Sequence, residues 1–154
     1  MRFIISILIP VLTGAVAGFF TNGGVKGWYE RANKPSFNPP GWIFGPVWTI
    51  LYILMGIALY LVWKSDADRR IKSTAITFFG IQLLLNFCWS FIFFSAGELG
   101  WAFAEIIVLW IMILATILYF GKISKTAAWL LVPYIAWVSF ASVLNYAIWQ
   151  LNGG

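Results

Sequence analysis

Five apolar stretches, each of roughly 18 to 24 residues, recur between short polar breaks, and each is long enough to cross a hydrocarbon core as a helix. Their expected bounds are Phe3 to Phe20, Trp42 to Trp63, Thr74 to Phe94, Trp101 to Phe120 and Ala127 to Leu151. A hydrophobic share of 62% with only 10% charged residues, and a mean hydropathy of +0.88, lie far outside the soluble range. Because backbone polar groups find no partner in lipid, spans of this length must be helical. The expected fold is therefore all-α and integral to the membrane: five transmembrane helices making one domain over residues 1–154, with no polar stretch left for a soluble domain.

Tryptophans bracket these spans. Trp28, Trp42, Trp63, Trp101, Trp129 and Trp149 suit the headgroup layer, where an indole buries its ring and keeps its N–H wet. Near the N-terminus, Arg2, the apolar run and Ala15-Val16-Ala17 also resemble a secretory signal with a small-residue cleavage site. Gly14 and Gly18, however, form a small-xxx-small pair suited to helix packing, and the first span is expected to be retained.

The chemistry available is narrow. With one Cys and no His, the chain has no disulfide framework, no His-based zinc site, no Cys/His nucleophile pair and no His-ligated haem. Asp66 and Asp68 lie in a solvated basic loop, and no Gly-rich phosphate loop is present. Cys88 reads as a small packing residue. The net charge of +5 reflects membrane anchoring, and a nucleic-acid partner is not indicated.

Polar side chains within the spans are costly, so their depth is informative. Thr49, Asn86, Ser90, Glu105 and Asn145 all fall in the bilayer half that faces the 21–41 connection, because successive helices alternate direction. At 1.5 Å per residue, Glu105 lies about 6 Å beyond Trp101 and Asn86 about 12 Å inside Phe94. Aromatic residues follow the same faces: Trp48 with Tyr52, Asn86 with Trp89, Ser90 and Phe93, and Trp137 with Ala141 and Asn145 recur at three- or four-residue spacing. Pro133 is expected to kink the fifth span one turn before Trp137, and Ala141 leaves room one turn later. The result expected is a slot between aromatic walls for a large flat apolar ligand. The plainer reading, interhelical hydrogen bonds and aromatic packing, stands beside it for each residue. Glu105 fits the plainer reading least, since a lone intramembrane carboxyl without a cation should be protonated, water-linked or directed at a ligand. The connection from Thr21 to Gly41, with Trp28, Tyr29, Lys34, Phe37 and three prolines, is too apolar for a simple linker and reads as a lid over the slot or as an interfacial anchor.

Trp28-Tyr29 followed by Lys34-Pro35 and Pro39-Pro40, then Gly45-Pro46-Val47-Trp48-Thr49-Ile50-Leu51-Tyr52, resembles the tryptophan-rich sensory protein and translocator protein family. The likeness continues through Gln82-Leu83, Leu85-Asn86, Trp89, Phe93-Phe94, Gly100-Trp101-Ala102, Glu105, Pro133-Tyr134, Trp137, Phe140-Ala141 and Leu144-Asn145-Tyr146. What the resemblance implies is a five-helix bundle, usually a homodimer, that binds porphyrins in a pocket under the first loop, and in animal members cholesterol and benzodiazepine-type drugs. By resemblance, Tyr29, Asn86, Trp101, Glu105 and Ala141 match ligand-lining positions, and Trp48 and Trp137 match tryptophans implicated in light-dependent porphyrin breakdown. Glu105 stands where relatives often have Asp. The proposed cholesterol motif needs a basic residue within five positions after Tyr146, and Ala147 to Leu151 supply none, so porphyrin is the better expected ligand and cholesterol a doubtful one.

Three function classes follow. The first is a protein that binds, senses or transports tetrapyrroles, with Trp and Tyr faces stacking on the ring and Lys26, Arg31 or Lys34 meeting propionates. The second is a photo-oxidative porphyrin-degrading enzyme using Trp48 or Trp137, and the third a small proton-coupled exporter using Glu105. No cofactor is expected, porphyrin entering as ligand or substrate. Orientation follows from basic residues: Arg2, Lys64, Arg69, Arg70, Lys72, Lys122 and Lys125 lie on the N-terminal side, against Lys26, Arg31 and Lys34 on the other. In a bacterial cell membrane this predicts a cytoplasmic N-terminus. A cysteine placed at the C-terminus should then be labelled from outside intact cells and one in the 66–70 loop should not; the reverse pattern would overturn the orientation.

Overall fold

Helix is the only regular structure among the described residues, 1–153, of the computed structural model. The helices are α1 (Arg2–Gly24), α2 (Phe44–Trp63), α3 (Arg69–Ser90), α4 (Leu99–Ile123), α5 (Lys125–Leu130) and α6 (Val132–Leu151). Counting α5 and α6 as one interrupted span, five segments are long and apolar enough to cross a membrane. Large apolar side chains such as Phe19, Leu84, Leu118 and Val143 point outward, as acyl chains require.

Helix ends are closed by local chemistry. The Ser124 hydroxyl accepts from the Ala127 N–H at 3.2 Å and starts α5. Lys72 donates to the Trp63 and Ser65 carbonyls at the end of α2, placing a cation where the helix dipole favours one. Gly97, at φ +65°, makes the left-handed turn between α3 and α4.

The first connection differs from expectation. Helical turns do not stop near Phe20: α1 reaches Gly24, passes into a wide π turn at Val25–Tyr29 with a kink at Gly27, and stays helical to Arg31. The irregular strap is thus only residues 32–40. Trp28 is not a headgroup anchor either, since its indole N–H donates to the Phe94 carbonyl at 2.7 Å and pins the kinked turn to the end of α3. Trp149 likewise packs on Phe103 and Tyr146, whereas Trp42, Trp101 and Trp129 are the exposed ones.

The helices form a ring in the order α1, α2, α5 and α6, α4, α3. The fifth span breaks at Leu131, two residues before the proline, so that Pro133 sits in the first turn of α6, where its missing N–H costs little. α2 packs on α5, but beyond this break it stands away from α6. That divergence opens the interior at the end nearer the strap. At the other end the ring is closed by a core including Met55, Val62, Phe79, Ile113 and Phe120, with Phe79 and Phe120 stacked at 5.8 Å.

Gly56 sets how closely α1 and α2 approach: a Cβ there would lie 2.5 Å from the Ile7 Cα and 2.9 Å from the Ser6 carbonyl oxygen. The Gly14 and Gly18 pair divides its roles, for Gly14 packs under the Tyr52 ring while Gly18 has open space before it. Gly56→Ala should therefore destabilise the bundle by about 1–3 kcal/mol, the cost of overpacking against backbone. Gly18→Ala should not lower stability. Thermal unfolding of both variants in detergent checks the contrast.

Candidate functional site

The opening between the diverging helices is a cavity of about 390 Å³, the size of a small-molecule site. Each wall has its own chemistry. α2 contributes Phe44, Trp48, Thr49 and Tyr52, the end of α3 contributes Trp89, Ser90, Phe93 and Phe94, and α6 contributes Trp137, Phe140, Ala141, Leu144 and Asn145. α1 supplies a wall of small residues, with Gly14, Ala17, Gly18 and Thr21 among them. Tyr29 and Gly41, which flank the strap, close the ring of lining residues.

Aromatic geometry fixes the walls against one another. Trp48 stacks on Tyr52 at 5.6 Å and 28°, and meets Trp137 edge to face at 6.5 Å and 90°. Phe44 reaches the other side of Trp137 at 6.1 Å. Trp89 stacks on Phe93 at 5.0 Å, and Tyr29 packs on Phe94 at 5.2 Å. These offset and edge-on pairs are the preferred arrangements for rings and hold large apolar faces toward the cavity. Burial pushes the Tyr29 hydroxyl up, with the Asn38 hydrogen bond acting against it, so this group remains a neutral donor, to Asn38 at 3.3 Å.

Of the residues singled out from sequence, Tyr29, Trp48, Trp89, Trp137 and Ala141 line this one cavity, together with Thr49, Ser90 and Asn145. Asn86, Trp101 and Glu105 do not. Asn86, 1% exposed, is turned into the helix interface, where its Oδ1 accepts from the Tyr52 hydroxyl at 3.2 Å and its Nδ2 donates to the Tyr134 hydroxyl at 2.8 Å. Tyr134 in turn donates to Gln82 at 2.6 Å. Here the plainer reading, interhelical hydrogen bonding, describes Asn86. Trp101 and Glu105 miss the cavity for a shared reason, that both lie on α4 and α4 lends no residue to the wall. Trp101 is 73% exposed on the outer face. Both Glu105 carboxyl oxygens are buried without a hydrogen-bond partner among the described residues.

Asn145 does both jobs: it borders the cavity, accepts from the Trp89 indole N–H at 3.0 Å and donates to the Leu99 carbonyl at 3.0 Å. It therefore holds one cavity tryptophan in place from across the interface. The Trp137 indole N–H, by contrast, is buried with no partner among the described residues. Sequence reasoning missed the α1 wall, although Gly14, Ala17, Gly18 and Thr21 recur at i, i+3, i+4 and i+7; from sequence only Gly14 and Gly18 stand out, as a packing pair.

The family model described as TspO/MBR matches residues 6–150, along the same helices that build the cavity. The chain belongs to the TspO/MBR family. Among its TspO/MBR relatives, the tryptophan-rich protein TspO of Archaeoglobus fulgidus is 44% identical over 99% of this chain and 97% of its own length. The translocator protein of Homo sapiens is 39% identical, over 96% of this chain and 88% of its own. The tryptophan-rich sensory protein of Cereibacter sphaeroides is 35% identical, over 81% and 77%.

Replacing Asn145 with Leu orphans the Trp89 indole N–H inside the bundle. Asn145→Leu should lower stability by about 1–3 kcal/mol, whereas Trp101→Ala on the exposed face should stay within about 0.5 kcal/mol. Chemical denaturation in one detergent measures both, and equal losses would remove the distinction drawn between the two positions.

Proposed function

We propose that this protein binds tetrapyrroles such as protoporphyrin, and other large flat apolar ligands, in the cavity between α1, α2, α3 and α6. The observation that carries the reading is the wall itself: Trp48, Trp89, Trp137, Phe93 and Phe140 line one cavity within the membrane-spanning part of the chain. A macrocycle gains most of its affinity from stacking on such faces. Polar residues are few and sit among the rings: Thr21, Thr49, Ser90 and Asn145 line the cavity. Lys34 holds its ammonium 4.8 Å above the Tyr29 ring and bonds to the Glu30 and Ala32 carbonyls, which puts a cation beside one cavity residue for a propionate to reach. Relatives named translocator protein and tryptophan-rich sensory protein agree with sensing or transport as the use of such binding.

A second reading has its own observation. Trp48 and Trp137 touch within the wall, so a bound porphyrin excited by light would lie against two electron-rich indoles, and turnover of the ligand could follow. Spectroscopic titration with protoporphyrin tests the first reading, and illuminating the same samples tests the second. Ala141→Thr should weaken protoporphyrin binding by about tenfold while leaving thermal stability nearly unchanged, because a branched side chain narrows the space beside Trp137. Unchanged affinity with an intact fold would remove Ala141 from the binding wall, and absence of binding to the unsubstituted protein would overturn the reading altogether.

A further inference from the structure

The end of the bundle away from the strap carries most of the protein's positive charge. Seven of its ten Lys and Arg residues lie there, and the acidic residues of that end are Asp66 and Asp68. Lys72 is engaged within the fold, on the Trp63 and Ser65 carbonyls. Two other lysines are placed differently. Lys64, just past α2, folds back so that its ammonium lies 5.4 Å from the centre of the Tyr60 ring. Lys122, in the last turn of α4, lies 4.5 Å from that of Tyr119.

The two places are built alike. Each sets a lysine over a tyrosine one turn earlier in the chain, and each tyrosine is braced by a phenylalanine of the neighbouring helix. Phe3 of α1 meets Tyr60 at 5.2 Å and 85°, and Phe78 of α3 meets Tyr119 at 5.1 Å and 52°. The α1–α2 and α3–α4 pairs thus repeat one arrangement at one end of the bundle. Both lysines are exposed. Unlike Lys34, which lies over Tyr29 but also bonds two carbonyls, they have no hydrogen-bond acceptor among the described residues. A ring face attracts a cation without using up its N–H groups, so each ammonium keeps three donors for another partner. The surface beside each clamp is apolar and faces outward: Phe3 is 47% exposed, and Leu118, one turn before Lys122, is 60% exposed. A cation folded back toward the rim of the hydrocarbon, rather than stretched into water, is stabilised by an anion at the same depth, and the anion of that layer is a lipid phosphate.

We infer that the protein carries two sites for anionic phospholipids, one on Tyr60 and Lys64 and one on Tyr119 and Lys122, in which the ammonium binds the phosphate and the apolar flank takes an acyl chain. Anionic lipid is favoured over zwitterionic because a zwitterionic headgroup brings its own cation toward the basic residues of this end. Both sites are separate from the cavity and do not depend on what the cavity binds.

Native mass spectrometry of the purified protein, with phosphatidylglycerol or phosphatidylcholine added to the detergent, counts the lipids retained. Two phosphatidylglycerols should be held per chain, in preference to phosphatidylcholine. Lys64→Gln and Lys122→Gln should each weaken retention of one of them by about fivefold, and Tyr119→Leu, which keeps every charge, should weaken the Lys122 site. Lys125→Gln removes an equal charge from an exposed position at the same end and should leave both lipids in place. Where Tyr119→Leu folds poorly, the lysine variants, at exposed positions, decide alone. In phosphatidylcholine nanodiscs, adding phosphatidylglycerol should raise the thermal unfolding midpoint of the unsubstituted protein, and raise it less when Lys64→Gln and Lys122→Gln are combined; inorganic phosphate should not raise it. A loss of lipid from Lys125→Gln equal to that from Lys122→Gln would overturn the sites in favour of general charge attraction. Equal retention of phosphatidylcholine, or a midpoint raised as far by inorganic phosphate, would overturn them too.

Discussion

Hydrocarbon supplies no hydrogen-bond partner, and the interior of this bundle is arranged around that fact. Tyr52, Asn86, Tyr134 and Gln82 form one connected chain of side-chain bonds between α2, α3 and α6, and Trp89, Asn145 and the Leu99 carbonyl form a second that brings in α4. These chains give the helices specific neighbours where apolar packing alone would tolerate sliding. They also explain why so many polar residues gather in one bilayer half, beside and behind the cavity wall rather than only in it.

The cavity is a consequence of how the fifth span is interrupted. A continuous straight helix from Lys125 to Leu151 would be free to follow α2 along its length; the break at Leu131 lets α5 pack on α2 while α6 leans toward α4. Space opened this way would collapse if lined by flexible aliphatic chains. Rings braced edge to face, Phe44 on Trp137 and Trp137 on Trp48, hold it open with few rotatable bonds. The small face of α1 then determines the width on the fourth side.

Much of this was legible in the sequence because lipid imposes length and hydropathy on each span, and the five helices follow directly. Helical periodicity also grouped Trp48 with Tyr52 and Trp137 with Ala141 on faces that do meet. What periodicity cannot give is which faces turn toward which neighbour. Glu105 and Asn86 had the right depth, yet α4 stands outside the ring of cavity walls and Asn86 points along the α3 interface. The connection after α1 misled for a local reason: Lys26, Gly27 and Trp28 read as interfacial loop, but the Trp28 bond to Phe94 supplies a tertiary partner that sustains a kinked helix through them. The hold of the Asn152 side-chain amide on the Asn33 backbone joins residues 119 positions apart and leaves no local signature at either end.

The placement of the cavity among membrane-spanning helices changes what concentration means for its occupant. An apolar macrocycle dissolves in the bilayer long before it saturates the surrounding water, so occupancy follows its mole fraction in lipid. Two preparations with identical total ligand but different amounts of lipid or detergent would fill the site to different extents. The wall of Gly14, Ala17 and Gly18 matters here as well, since it leaves one side of the cavity thin and poor in large side chains. Under the proposed function, the site would fill according to how much of such a compound the membrane has accumulated, a quantity that no binding site facing only the aqueous phase samples directly.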